Sequence, residues 1–384
     1  MKIIDRKNSK RFSKKVMVCI LTVLLIIPQL GCSSSGTGSN NSNLGVTRNN
    51  FILDTICTIT VYALDDSGDR YGQLDSENAL DAHIDSVIQQ CFSQIQLYEN
   101  KLSATIEGSD VWNINHAKGE PVQVGDWTMA VVKKGLDYCE KSGGAFDITC
   151  GTLTSLWDFR GSIESGEPTV PDAAALSEAA KHADYTKVVI DEKNSTVQLL
   201  DPEMQLDLGG IAKGYIADRA AVFLEDAHVK SAVVDLGGNI VCINGKSDRQ
   251  LVDVEHDGLE FAPFNIGIKD PVGSDSIIGS IPLDNKTIVT SGTYERCFEV
   301  DGVKYHHILD PKTGYPVDSD VMQVSVISRR NASVDCDALS TTCLALGLEK
   351  GMELIKNTEY VEAVFLGTDG QIYCTKDDTE FKKS

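Results

Sequence analysis

The stretch from Met204 to Gly238, MQLDLGGIAKGYIADRAAVFLEDAHVKSAVVDLGG, constrains this chain more than any other. Two short alternating runs, each ending in Asp-Leu-Gly-Gly, bracket one amphipathic helix. The spacing predicts strand, glycine turn, helix, strand, glycine turn. Paired glycines let the backbone turn sharply and let another group approach its amides with no Cβ in the way. Gly209 and Gly210 lie where a helix beginning near Ile211 offers unpaired N–H groups and its positive dipole end. That turn could hold a phosphate, with Lys213 adding a full charge; equally, it could be a tight turn that packs a helix on a sheet. Neither GxxxxGK[ST] nor GxGxxG occurs here. The repeated DLGG is too short to imply duplicated domains.

Around this unit the pattern alternates between helices and closely spaced strands. Phe51 to Ala63 reads as one strand, Ser76 to Leu102 as a helix, 103–115 as a polar loop, and Trp127 to Ser142 as a second helix closed by Gly143-Gly144. A loop over 160–171 precedes a short helix at Asp172 to His182. Strands are expected at Lys187 to Ile190 and Val197 to Leu200. Five more follow between 265 and 308 (Asn265–Lys269, Ile277–Pro282, Thr287–Ser291, Cys297–Val300 and Lys304–His307), then Val321 to Ser328, a helix at Val334 to Leu346, and a closing hairpin of Val361 to Leu366 with Gln371 to Cys374. So many neighbouring strands favour α+β over a doubly wound parallel sheet.

The N-terminus has a different character. Seven Lys and Arg residues precede the apolar run Val16 to Ile27, and Leu30-Gly31-Cys32 closes it. A basic region, an apolar stretch too short to span a membrane comfortably and a small residue before the cleavage point read as a signal peptide over 1–31. Leu30-Gly31-Cys32 resembles the bacterial lipoprotein signal, in which the cysteine carries the lipid. Residues 32–48, mostly Ser, Gly, Thr and Asn, read as a flexible tether, and 49–384 as the folded body. The body is expected outside the cytoplasmic membrane and held close to it. Without residues 1–31 the formal charge of −21 becomes about −27. Such a surface repels nucleic acid, and an anionic ligand would need a local cationic site or a metal. Nine of the eleven cysteines lie in the body; an odd set cannot all pair and none makes a CxxC or a zinc spacing, so free thiols in apolar runs are expected.

Three further constellations carry chemistry. Asp337 and Thr341 are four apart on a predicted helix, so their oxygens share a face. A carboxylate with a hydroxyl suits Mg²⁺, which completes its shell with water, carbonyls and substrate phosphates; the alternative is a helix-terminal Asp and a Thr bonded to its own backbone. Tyr305-His306-His307-Ile308-Leu309-Asp310-Pro311 is a strand entering a stiff turn, and histidines on successive strand positions face opposite sides. Only one can face a given site, where it would serve as a general base. Thr290-Ser291-Gly292-Thr293-Tyr294-Glu295-Arg296 lacks the glycines of GxSxG and reads as a strand-end loop that contacts ligand.

GAFDIT at 144–149, DLGGIAKGY at 207–215, VDLGGN at 234–239, TSGTYER at 290–296, HHILDPKTGYP at 306–316 and DALST at 337–341 resemble, in this order, the ApbE family of FAD:protein FMN transferases. The resemblance runs from about Phe51 to the C-terminus. It implies a T-fold-like α+β structure of two packed lobes with FAD in the cleft between them. It also implies Mg²⁺-dependent transfer of FMN from FAD to a Thr or Ser hydroxyl of an acceptor protein, with AMP released. By motif position, Asp337, Thr341 and the Gly210 carbonyl become metal ligands, and His307 the base. Asp207, Lys213, Ala145, Phe146, Asp147 and Leu309 become flavin-nucleotide contacts. The family's Met-Gly-Thr is Leu53-Asp54-Thr55 here and its Ser-x-Tyr is Ser103-Ala104-Thr105, so Leu53 and Thr105 stand where the isoalloxazine end is expected. Acceptors would be subunits of membrane or extracytoplasmic electron-transfer systems. The same residues would suit an FAD pyrophosphatase giving FMN and AMP, or a flavin-binding lipoprotein.

Overall fold

In the computed structural model, which describes residues 45–74, 76–253, 261–273, 276–376 and 380–384, the chain begins with a hairpin where the sequence pattern suggests one strand. Strands β1 (Val46–Ile52) and β2 (Thr55–Asp65) pair from Val46↔Val61 to Ile52↔Thr55. The two residues between them, Leu53 and Asp54, both adopt positive φ, +59° and +56°. A two-residue hairpin loop needs that geometry to match strand twist, but it normally takes it from Asn-Gly, which is why alternation alone hides the turn. The turn is held from outside: Leu53 N–H donates to Glu99 Oε1 at 3.0 Å, and Asp54 pairs with Arg160. The strand also takes Val46–Arg48 from the expected tether, because Val46 is buried against the core. The expected signal peptide over 1–31, Cys32 and residues 33–44 lie outside the described residues.

Next come helix α1 (Glu77–Leu102), capped by the Ser76 side chain, and α2 (Asp110–His116), capped by Ser109 Oγ accepting from Trp112 N–H at 2.9 Å. The latter is a helix where a loop is expected: seven residues are too few for periodicity to register. After β3 (Val122–Gln123) come α3 (Asp126–Lys141), α4 (Gly151–Trp157), α5 (Phe159–Ser165) and α6 (Ala173–Ala179); α5 replaces the first part of the expected 160–171 loop. Strands β4 (Val188–Asp191) and β5 (Thr196–Leu199) lead to α7 (Ala212–Asp226), β6 (Val229–Leu236), β7 (Asn239–Ile243) and β8 (Leu251–Val252). The remainder is β9 (Phe264–Lys269), β10 (Ile277–Leu283), β11 (Lys286–Gly292), β12 (Cys297–Val300), β13 (Val303–His306) and β14 (Val321–Arg329). It closes with α8 (Ser333–Leu346), α9 (Leu348–Lys356), β15 (Val361–Gly367), β16 (Ile372–Cys374) and β17 (Lys382–Lys383).

The architecture is α+β. Strands β1-β2-β6-β7-β11-β14-β15-β16 form one antiparallel sheet, with β8 added parallel to β2. Its central strands are buried on both faces, and strand alternation assigns each residue to one of two cores. Val241, Val289, Val326, Ala363 and Phe365 join the core shared with α1, α7 and α8. Their neighbours Cys242, Ile288, Ile327 and Val364 pack with Phe264, Ile268, Ile281 and Leu283 of the small β17-β10-β9 sheet. A third cluster, around Trp157 with Leu153, Phe159, Leu176, Phe298 and Leu309, builds a smaller lobe from α4, α5, α6 and the β12–β13 hairpin. Trp157 Nε1–H donates to the Gly314 carbonyl at 2.7 Å, tying the HHILDPKTGYP loop into that lobe. The nine body cysteines are all free, six of them buried as small hydrophobes. No helix among the described residues is long and apolar enough to cross a membrane.

Candidate active site

Helices α7 and α8 run antiparallel and exchange carboxylates. Asp337, on the second turn of α8, accepts the Gly214 N–H at the start of α7 through Oδ2 at 2.8 Å. One turn further along α7, Asp218 accepts the N–H groups of Ser333 and Val334 at the start of α8, both at 3.1 Å. Each carboxylate thus satisfies orphan amides at the other helix's N-terminus, where the dipole also favours negative charge. The exchange needs very close approach. A Cβ on Gly214 would stand 2.3 Å from the Ser333 carbonyl oxygen and 2.7 Å from Asp337 Cβ.

Desolvation pushes the Asp337 carboxyl up from the ordinary range, opposed by Lys213, the Gly214 amide and, least, the Asn239 side chain. Burial likewise pushes Asp218 up to about 6 despite its two amide bonds. Thr341, one turn after Asp337, is half-buried and faces the first glycine turn: a Cβ on Gly210 would meet Thr341 Oγ1 at 3.4 Å and the Phe146 ring at 3.0 Å. The segment before that turn is extended but is not the expected strand. Asn115 takes its backbone bonds instead, donating to the Leu206 carbonyl at 3.0 Å and accepting its N–H at 2.7 Å, while Asp207 N–H donates to the Ile148 carbonyl. Asp207 Oδ1 then accepts the Gly209 N–H at 2.7 Å, shaping the turn.

Lys213 sits at the electrostatic centre. Its ammonium acts on Asp337, Asp235, Glu295 and His307, yet no hydrogen bond or ion pair among the described residues fixes it to any of them. The strand-end loop reaches α8 through Ser291 Oγ and Ser340 Oγ, 2.7 Å apart. At the hairpin mouth, His307 N–H donates to the Arg296 carbonyl at 3.1 Å and its Nδ1 lies 3.3 Å from the same oxygen. A carbonyl only accepts, so Nδ1 carries the hydrogen and Nε2 the lone pair. Desolvation, with the Arg296 guanidinium second, pushes His307 down to about 3, so the ring is neutral at pH 7. His306 is the buried member of the pair, and its Nδ1 accepts the Ile308 N–H at 3.3 Å. His306 is the last residue of β13 and His307 lies just beyond it, so strand alternation does not by itself fix where the second ring points.

The other sequence-picked residues are placed less centrally. Phe146 is buried with its ring beside Gly210, and Ala145 precedes it. Asp147 has both oxygens engaged within the protein, by Thr149 N–H and Oγ1 at 2.8 and 2.6 Å and by Tyr185 N–H at 3.4 Å. Its carboxylate braces the loop that presents Ala145 and Phe146. The Leu309 side chain is a core residue of the smaller lobe, which leaves its backbone as the part able to meet a ligand. Thr105 is exposed and, among the described residues, its hydrogen bonds go to Ser103. Leu53 packs against the main core, and Thr55, two residues on, lies against Gly237 of the second glycine turn. Sequence reasoning passed over Asn239, Gly214 and Asp218. The first was visible only as the end of VDLGGN, and the other two looked like ordinary helical positions.

The described residues contain no cluster of three or more His, Cys, Asp or Glu able to hold a metal. What converges instead is one carboxylate, one hydroxyl and the backbone at Gly210. That oxygen set suits a hard cation that takes its remaining ligands from water and from a phosphate-bearing substrate.

A family model described as the ApbE family matches residues 53–365. A protein named FAD:protein FMN transferase from Treponema pallidum is 35% identical over 364 residues, covering 93% of this chain and 91% of its own length. Another of that name, from Klebsiella pneumoniae, is 35% identical over 289 residues, covering 74% and 83%. The crystal structure of the ApbE protein from Thermotoga maritima superposes with a TM-score of 0.71 at 31% identity, over 86% of this chain and 96% of that one.

Proposed function

The chain belongs to the ApbE family, and from that membership we infer that it is an FAD:protein FMN transferase, an enzyme that moves FMN from FAD onto an acceptor protein. We propose further that the transfer depends on Mg²⁺ held by Asp337, Thr341 and the Gly210 carbonyl, and goes to a Thr or Ser hydroxyl with AMP released. The observation that carries this is the meeting of the first glycine turn with the Asp337/Thr341 face of α8, around an unpaired Lys213.

When bound, the cation would supply charge stabilisation at the diphosphate. The chain's own groups do the rest. Asp337 offers the oxygen that Gly214 leaves free. Lys213 and the amides at the start of α7 attract and orient the diphosphate, whose charge a body of about −27 would otherwise repel. Ala145 and Phe146, braced by Asp147, line the approach with Asp207, and Leu309 adds a contact from its loop. Leu53 and Thr105 would border the isoalloxazine end. His307, neutral and with Nε2 free, takes the proton from the acceptor hydroxyl as that oxygen attacks phosphorus, and AMP departs.

We propose that the protein acts outside the cytoplasmic membrane, anchored by lipid on Cys32 after removal of residues 1–31. Its acceptors would be subunits of membrane or extracytoplasmic electron-transfer systems. The N-terminal sequence supports this reading.

Incubation with FAD, Mg²⁺ and an acceptor peptide bearing a Thr tests the chemistry. A covalent FMN mass increment on the peptide is the expected result. Free FMN regardless of peptide would mark a pyrophosphatase, and tight FAD binding with no turnover a flavin-binding protein. Asp337→Ala should abolish Mg²⁺-dependent activity and leave the circular dichroism spectrum unchanged; full activity would remove the metal site. His307→Ala should lower the turnover number by about 10²-fold or more while FAD affinity stays within a few-fold. An unchanged turnover number would end its assignment as base.

A further inference from the structure

Two buried asparagines flank the two Asp-Leu-Gly-Gly segments, and only one of them is fully satisfied. Asn115 uses both ends of its amide on the Leu206 backbone and is thereby a structural brace. Asn239 is 1% exposed, and its Nδ2 makes no hydrogen bond of ordinary geometry among the described residues, although it lies close enough to the Asp337 carboxylate to favour its charged form. Its position is fixed by the second turn: Gly237 and Gly238 take φ of +68° and +94°, Asp235 Oδ1 accepts the Gly238 N–H at 2.9 Å, and Thr290 N–H donates to the Gly238 carbonyl at 3.0 Å. The chain therefore enters β7 with Asn239 as its first residue, paired with Val289 in the middle of the sheet and pointing at the Asp337 carboxylate.

Asp337 shows the complementary deficit. Oδ2 takes the Gly214 N–H, and the carboxylate's remaining hydrogen-bonding capacity is met only by the nearby Asn239 amide, at a geometry short of a full bond. A buried amide donor lacking a bond of ordinary geometry thus stands beside the carboxylate of a buried aspartate whose charged form it favours. Leaving a buried donor poorly paired is destabilising, so the arrangement calls for a state in which the bond is fully made.

We propose that Asn239 is a positioning residue for Asp337, its side-chain amide closing onto the carboxylate when that carboxylate turns to ligate a cation. The inference rests on the cation reading above. Ligating carboxylates are held by hydrogen bonds of their own, and loss of such a partner typically weakens metal affinity about 10–100-fold. One hydrogen bond from Gly214 leaves the carboxylate free to rotate; a second from Asn239 would set its plane.

Asn239→Leu is the informative variant, being close in shape and lacking the amide. Mn²⁺ alone, without FAD, is titrated into wild type, Asn239→Leu and Asp337→Ala, followed by the loss of the free-ion electron paramagnetic resonance signal. FAD affinity in EDTA and thermal melting are measured in parallel. The expected result is Mn²⁺ affinity weakened at least about 10-fold in Asn239→Leu, with FAD affinity in EDTA within two-fold of wild type and melting unchanged or raised, since a buried, poorly paired donor has gone. A purely structural role would lower melting and leave Mn²⁺ affinity alone. Equal Mn²⁺ binding by wild type and Asn239→Leu, with none by Asp337→Ala, overturns the inference but keeps the cation site. FAD binding weakened in EDTA would move the amide's partner to the nucleotide and also overturns it. Equal or absent Mn²⁺ binding in all three removes the cation reading itself.

Discussion

The same four residues, Asp-Leu-Gly-Gly, end in two different backbones in this molecule. At 207–210 the glycines take no positive φ and lead into α7; at 235–238 they take +68° and +94° and reverse the chain into β7. In both, the aspartate accepts a glycine amide: Asp207 that of Gly209, and Asp235 that of Gly238. The following residues decide the outcome. Ile-Ala-Lys-Gly-Tyr continues as helix against α8, whereas Asn-Ile-Val-Cys-Ile continues as a strand between β6 and β11. The first turn needs its glycines for access to the site, and the second for conformation.

The largest effect expected from this contrast lies just beyond the first turn. Gly214→Ala drives a Cβ into the Ser333 backbone, which cannot yield without parting α7 from α8, so urea denaturation should show a loss of about 3 kcal/mol. A loss below about 1 kcal/mol would mean the helices slide easily and the carboxylate exchange is not what sets their spacing. Next come the turns themselves. Gly237→Ala should cost about 2 kcal/mol through its positive φ and the nearby Thr55 side chain, and Gly209→Ala, exposed and unstrained, below about 0.5 kcal/mol. Equal costs would erase the distinction.

The smallest effect is a slope. Asp218 titrates at about 6 in the folded protein, above its unfolded value, because burial favours the protonated form. Its contribution to stability is therefore fully present below about pH 4 and lost as pH rises through about 6. Asp218→Asn should flatten that part of the stability profile, measured by denaturation at a series of pH values. An unchanged slope would assign it to other carboxylates.

These contrasts also mark what the sequence made legible. Long periodic segments such as α1 and α8 and the alternating strands β9 to β14 were readable, because a helical or two-residue period survives when many apolar positions repeat it. The Leu53-Asp54 turn was not, since neither residue announces a positive φ, and its supports, Glu99 and Arg160, are distant in sequence. The extended segment before Gly209 passed for a strand because a side chain, Asn115, replaces a strand partner. Asp337, Thr341 and Gly210 were traceable through short ordered motifs, whereas the poorly paired amide of Asn239 exists only once β7 is placed beside α8.

The most direct test is a crystal of the protein soaked with FAD and Mn²⁺, with data collected at the manganese edge. The account predicts one anomalous peak within about 2.3 Å of Asp337 Oδ1, Thr341 Oγ1 and the Gly210 carbonyl oxygen, with diphosphate oxygens filling the shell. A manganese peak bound elsewhere, or a diphosphate seated away from α8 with no metal at Asp337, would contradict it.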